Sequence, residues 1–458
     1  MKPLTLGVFE HLNPNGMSGA TWRHPDNVAT RYLDLDHWTR LARRVEAADL
    51  DFLFLADSYG MPIVDGAVPD AAVRSAVHFP SADPFAVVGV CAAATSTLGI
   101  VVTSSTVFEE PYANARRYAT LDHLTRGRIG WNVVTSASAA SAAAMFGRPL
   151  TPHDTRYDMA EDYMELSYRL LEGSWEDGAV LADKEAGVYA DPARVHDVDH
   201  KGPYFSARGV FPVEASPQRV PVLFQAGSSG RGREFAARHA ECVFLQGTTV
   251  PRVAEAAADI RSRAEAFGRD GDAIRLLVGL TIIVAPTTAE AETRYATFRS
   301  FSTDETAAAQ FAFNTGIDLL SLDPGAPLPA DIDAQQGQSN VDRFRPTDGS
   351  PAPTVRAILD ELKARGLRGL VLHGTPDVVA QQMQDYAEAT GIDGFLLESY
   401  LNPGTYDELI DLLLPELRRR GIAPGPHRRQ TLRERLGGAG RHLPDSHPAA
   451  AHRVGAGR

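Results

Sequence analysis

Eight short apolar segments, each followed by a turn or a helical pattern, constrain this chain more than any other feature. They read LTLGVFE (4–10), DFLFLAD (51–57), LGIVVTSST (98–106), RIGWNVVTS (128–136), VPVLFQAG (220–227), ECVFLQGT (241–248), RLLVGLTIIVA (275–285) and DGFLLESY (393–400). Segments apolar at nearly every position suit strands buried on both faces, as in a parallel sheet. The stretches between them carry helical periodicity; Trp38, Leu41, Val45 and Ala48, for example, fall on one face. The alternation predicts an α/β fold, a closed (β/α)8 TIM barrel, with an open doubly wound sheet as the alternative.

A chain of 458 residues exceeds the usual size of one core, yet a barrel with insertions carries that length as one domain. The spacing places one barrel over residues 1–435, interrupted at about 172–219 and 300–355. Loops of that length in a compact domain are lids or substrate walls, expected here at the C-terminal rim. Residues 436–458, rich in Gly, Pro and His, are expected to be a disordered tail.

Composition removes several classes of function. With a net charge of -13 and no basic stripe interleaved with aromatics, nucleic acid is a poor partner. No run of about eighteen apolar residues predicts a membrane span, and the first residues lack the pattern of a signal peptide. The two cysteines, Cys91 and Cys242, sit in apolar strings and read as buried thiols of a reducing compartment, which points to the cytoplasm. No H-E-x-x-H, H-x-H or Cys/His cluster offers metal-ligand spacing, so no metal is expected. A G-x-S-x-G nucleophile elbow is absent as well.

Chemistry gathers at the strand ends, which form the active face of such a barrel. Asp57 ends the second segment; Thr103 and Ser105 end the third; Asn132 and Ser136 end the fourth. Asp57 alone reads equally as a helix N-cap. After the fifth segment comes Ala226-Gly227-Ser228-Ser229-Gly230-Arg231-Gly232, opening a helix. Backbone N–H groups and the hydroxyls of Ser228 and Ser229 suit an anion there, and a plain flexible turn is the competing reading. His153 and Tyr157 lie four apart and share a face if a helix opens there, a pair fit for phosphate or flavin-edge hydrogen bonds. The alternative is a helix start capped by Asp154 with His153 merely exposed. His11, Trp22, Arg23 and His24 occupy the first loop, over the same rim.

Ordered strings tie these features together: FLFLADSYG, ARRYATLDHLTRGRIGWNVVTS, HDTRYDMAEDYMEL, LLEGSWEDGAV, DPARVHDVDHKGPYF, SPQRVPVLFQAGSSGRGREFAARHAECVF, then TPDVVAQQM, DGFLL and PGTYDELIDLLLPELRRRG. They resemble the nitrilotriacetate monooxygenase-like flavoproteins, a group holding the dibenzothiophene-sulfone, EDTA and long-chain alkane monooxygenases within the bacterial luciferase-like superfamily. The resemblance runs from residue 1 to about 435 and departs mainly in the first loop and the second insertion. It implies a luciferase-like barrel that holds FMN at its rim through Asp57, Thr103, Ser136, His153, Tyr157, Ser228 and Ser229, with Asn132 and Ser105 in the same neighbourhoods. It further implies FMNH2 delivered by a separate NAD(P)H:flavin reductase, O2 as co-substrate, oxygenation of a small organic molecule at a C–H, C–N or C–S bond, and a homodimer or homotetramer. His11 and His24 are the candidates for moving protons. A deazaflavin-dependent oxidoreductase and a non-catalytic flavin carrier are the alternatives. The first loop carries few cations, mainly Arg23 with His24, which leans toward an apolar or heterocyclic substrate over a polyanion.

Overall fold

All eight apolar segments become parallel strands: β1 (Thr5–His11), β2 (Phe52–Ala56), β3 (Gly99–Ser105), β4 (Ile129–Val134), β5 (Val222–Gln225), β6 (Cys242–Leu245), β7 (Arg275–Val284) and β8 (Gly394–Glu398). The computed structural model describes residues 2–15, 19–136, 138–227, 229–247, 249–332, 334, 337–346, 349–366 and 369–455. The strands follow the order β6-β5-β4-β3-β2-β1-β8-β7, and β6 pairs with β7 to close the barrel. Helices return the chain between them: α1 (Leu35–Ala47), α2 (Phe85–Ala94), α3 (Pro111–Thr125), α4 (His153–Glu172), α5 (Gly230–His239) and α6 (Val250–Ala266). The predicted face of α1 is buried through Trp38, Leu41 and Val45.

Period two along the strands sorts the interior into layers. Phe52, Val101, Val222, Cys242, Leu277 and Leu396 pack inside, with the ring layer of Phe9, Phe54, Phe224 and Phe244 among them. Leu432 and Leu436, from the segment 431–436, join this inner cluster and plug the floor. Arg433 anchors that plug: although buried, its guanidinium donates to Glu241 at 2.7 Å, the Gln218 carbonyl at 2.9 Å and the Val220 carbonyl at 2.8 Å. Arg435 reaches Asp51 at 2.7 Å, at the entrance to β2.

Strand β7 serves two partners on one edge. Its first half pairs with β6 (Arg275 to Val278), and its second half with the short strand Val371–Gly374 (Thr281 to Val284). The chain before that short strand, the second insertion, is a small folded unit with helices α7 (Asp304–Thr315) and α8 (Val355–Arg365). Its private core holds Phe311, Leu319, Val341, Phe344, Ile358 and Leu362. Asp304 ties the two helices through Arg356 at 2.8 Å and Lys363 at 2.7 Å.

Two expectations are corrected. The first insertion does not join the C-terminal rim: it lies between the end of α4 and the start of β5, a connection that runs at the opposite end of a barrel. It folds as two antiparallel pairs, Val180–Asp183 with Val188–Ala190 and Asp197–Lys201 with Ser206–Val210. Asp162 of α4 holds the second pair, accepting from the Tyr204 and Phe205 N–H groups at 2.8 Å each and bonding His200 at 2.8 Å. Nor is the tail disordered over residues 436–455. Leu443, His447 and Ala449 are buried, and His447 Nε2 donates to the His239 carbonyl at 2.9 Å. His452 meets Glu165 of α4 at 3.0 Å. Small and imidazole side chains pack here by contact and hydrogen bonding where composition suggested a solvated coil. Both cysteines are buried free thiols, as expected. Among the described residues no helix is long and apolar enough to cross a membrane, and no group of three His, Cys, Asp or Glu side chains is placed to hold a metal ion.

Candidate active site at the barrel mouth

Above the ring layer the inward positions turn polar, because each strand continues its period past the apolar core. On β1 the series is Gly7, Phe9, His11; on β3 it is Val101, Thr103, Ser105; on β4 it is Gly130, Asn132. A cavity of about 260 Å³ opens over this layer. Of the residues singled out from sequence, it brings together His11, Asp57, Thr103, Asn132, Ser136, His153, Tyr157 and Ser229. Ser105 stands beside it, its hydroxyl 2.6 Å from that of Ser136. His24 is not in the lining; its ring packs edge-on to Phe301, with centroids 5.9 Å apart. Ser228 lies outside the described residues.

One side of the cavity is an anion cradle. Helix α4 begins at His153, so His153 and Tyr157 do share a face, their rings 5.2 Å apart. The helix N-cap is Pro152, not Asp154. Ser229 caps α5, its hydroxyl accepting from the Gly232 N–H at 3.0 Å. The Tyr157 hydroxyl is pushed up by burial and held among Thr135, Ser229 and Gln225. Glycine is needed here for contact: a Cβ on Gly232 would stand 2.8 Å from both Gly227 Cα and the Tyr157 oxygen. Removing either side chain allowance would push α5 away from Tyr157.

Arg156, which sequence reasoning passed over, completes the cradle. Its side chain lines the cavity while only 2% exposed. The one hydrogen bond it makes goes to the Thr151 carbonyl at 2.9 Å, its Nε has no partner, and no carboxylate pairs with it among the described residues. A buried cation without a counter-charge is costly unless an anion completes it.

Deeper in, the Asn132 amide donates to the Thr103 hydroxyl at 2.9 Å, which donates to the Leu55 carbonyl at 3.0 Å. Asn132 Oδ1 is buried with no partner among the described residues. Ser136 holds a left-handed backbone with φ 75°, a strained state for a serine, of the kind that gathers at functional sites. Burial pushes the Asp57 carboxyl up to about 7; the Ser58 N–H opposes the shift, and Asp83 and Glu109 add to it.

The opposite arc, near β1 and β6, is walled by rings and amides. His78 stacks on Phe313 of α7 with centroids 3.9 Å apart and planes within 5°, and His11 meets His78 edge-on at 6.0 Å. Gln246 donates to Asn340 at 2.9 Å, and Asn314 lines the same cavity. The second insertion thus supplies part of the wall, as expected, whereas residues 172–219 supply none of it. His78, in a loop without periodicity, gave no sequence signal; Gln246 did, since it ends the sixth segment as the other polar residues end theirs.

Comparison with known proteins agrees with this geometry. Residues 16–394 match the model of the luciferase-like monooxygenase family. The chain is 41% identical to the long-chain alkane monooxygenase of Geobacillus thermodenitrificans (strain NG80-2), over 99% of this chain and 98% of the relative. It is 34% identical to nitrilotriacetate monooxygenase component A of Aminobacter aminovorans, over 95% and 96% of the two chains. The crystal structure of a riboflavin lyase, with modified FMN and its substrate riboflavin, superposes with a TM-score of 0.94 at 45% identity, covering 99% of this chain and all of that one. With the eight-stranded barrel and polar mouth described above, these matches identify the chain as a monooxygenase of the luciferase-like family.

Proposed function

We propose that this chain is the oxygenating component of a two-component system that uses reduced FMN and O2 to oxygenate a small organic substrate. The observation that carries the reading is the buried, unpaired Arg156 beside the capped start of α5, a cradle built for a dianion. The residues fit FMN. Arg156, Tyr157, His153 and Ser229, with Ser228, would hold the phosphate through charge-assisted bonds and the helix N-terminus. Asn132 Oδ1, lacking a partner, would accept from an N–H or O–H of the cofactor, with Thr103, Ser105, Ser136 and Asp57 around it.

When bound, reduced FMN supplies two electrons and two protons, so that one atom of O2 enters the substrate and the other leaves as water. The chain's own tasks are to position the partners, exclude water and handle protons. His11, at the end of β1 in the cavity wall, is the group proposed to hold or pass a proton at an imidazole nitrogen. A separate NAD(P)H:flavin reductase would deliver FMNH2; the designation "component A" of the Aminobacter relative supports a divided system.

Fluorescence titration with FMN tests the reading. Ser229→Ala combined with Tyr157→Phe should weaken binding by about 1–3 kcal/mol, and Arg156→Met by a similar or larger amount. Wild-type affinity in all of these variants would refute the phosphate assignment. Feeding FMNH2 from a generic reductase while following O2 uptake tests the oxygenase half; a protein that binds FMN and leaves O2 consumption at the level of free FMNH2 would be a carrier instead.

A further inference from the structure

Charge is distributed unevenly over the cavity. Among the lining residues Arg156 is the one arginine and no lysine is present, and it belongs to the phosphate side with His153 and Tyr157. Strand order places β4 and β5, which carry that side, across the barrel from β1. The arc facing β1 offers a substrate no permanent cation, so a polycarboxylate would leave its charges uncompensated there. Nor is that arc a slot for a plain hydrocarbon. Gln246, Asn340 and Asn314 present carboxamides, and the single Gln246–Asn340 bond leaves Gln246 Oε1 as an acceptor and Asn340 Nδ2 as a donor. An alkane pressed against them would strip their water and return nothing. The remaining wall is flat: the coplanar His78 and Phe313 rings, with His11 edge-on.

We propose that the substrate is an uncharged planar heteroaromatic bearing a lactam or imide edge, packed by the His78–Phe313 wall and read along that edge by Gln246, Asn340 and Asn314. A lactam edge places an N–H donor next to a C=O acceptor, the complement of a carboxamide pair. Phe313, Asn314 and Asn340 all come from the second insertion, so the segment that departs most from the family is the one that sets this preference. The proposal rests on the monooxygenase reading above and narrows its substrate class.

Equilibrium dialysis against FMN-saturated protein at neutral pH measures it directly, with alloxazine as the imide-bearing probe. N3-methylated alloxazine tests the edge, and nitrilotriacetate and hexadecane represent the polyanion and hydrocarbon classes. Saturable binding of alloxazine is expected, weakened about tenfold by N3-methylation and by Asn340→Leu or Gln246→Leu, and several-fold by Phe313→Leu. The two other probes are expected not to saturate. Saturable binding of nitrilotriacetate or hexadecane with none of alloxazine overturns the proposal, as does alloxazine binding indifferent to methylation and to all three variants. The FMN affinity of each variant is titrated in parallel. Failure of wild type to bind FMN would sink the monooxygenase reading itself, whereas tight FMN binding without heterocycle binding sinks this inference alone.

Discussion

Glu10 and His11 are neighbours on β1 that face opposite ways, and the contrast shows how much one residue's direction decides. His11 points into the mouth; Glu10 points outward and is buried under the loop that follows β8. Its Oε1 accepts from Tyr406 at 2.5 Å, Ser399 at 2.9 Å and Asn402 at 3.1 Å. Burial still outweighs these bonds and pushes the carboxyl up to about 7. A raised folded-state value means the group contributes its full stability below the unfolded value, near 4.5, and loses it as pH rises through about 7. Glu10→Gln should therefore narrow the stability difference between pH 5 and pH 8 by on the order of 3 kcal/mol. Urea denaturation of both proteins at the two pH values checks this; an unchanged difference would show that the loop already solvates the charge. Residues such as Thr103, Asn132 and Tyr157 were legible as site candidates because they end apolar strings or share a helical spacing. Arg156 was not: an arginine in a polar helical string reads as solvated, and only the packing around it reveals the buried, unpaired charge.

At the scale of elements, the strands were legible to within a few residues because burial on both faces leaves an unbroken apolar signature. The tail was misread because Gly, Pro and His content suggests a coil and says nothing about docking. His447 donates from Nε2 to His239 and accepts at Nδ1 from the Ala449 N–H at 3.1 Å, which requires the neutral ring. Burial holds its pKa well below the ordinary value. A depressed histidine contributes stability above about 6.5 and loses it as pH falls below that, the reverse of Glu10. Amide exchange over residues 443–453 should accordingly rise between pH 7 and pH 5, after correction for intrinsic rates, more than exchange in β3. Removing residues 438–458 should cost about 2–5 kcal/mol, since Leu443 alone buries a full side chain; a melting temperature equal to that of the full chain would contradict the docking. Leu432→Ala should open a cavity in the floor and cost a comparable 2–5 kcal/mol without altering FMN affinity.

For the molecule as a whole, the barrel and the second insertion keep separate cores, one centred on the strands and one on Phe311, Val341 and Leu362. Their separation was half visible in sequence. The polar stretch of 322–353 reads as loop, while VRAILDELKAR carries the helical period that becomes α8. Phe311→Ala should raise amide exchange across residues 304–362 while leaving the barrel strands protected; uniform loss of protection would mean a single cooperative unit.

An enclosure whose roof folds around its own nucleus can be re-roofed. Grafting the stretch from Asp304 to Arg365 between family members should transplant the choice of guest while the floor, the staves and the anion cradle stay as they are, so that new appetites arise in this lineage by exchanging one cassette.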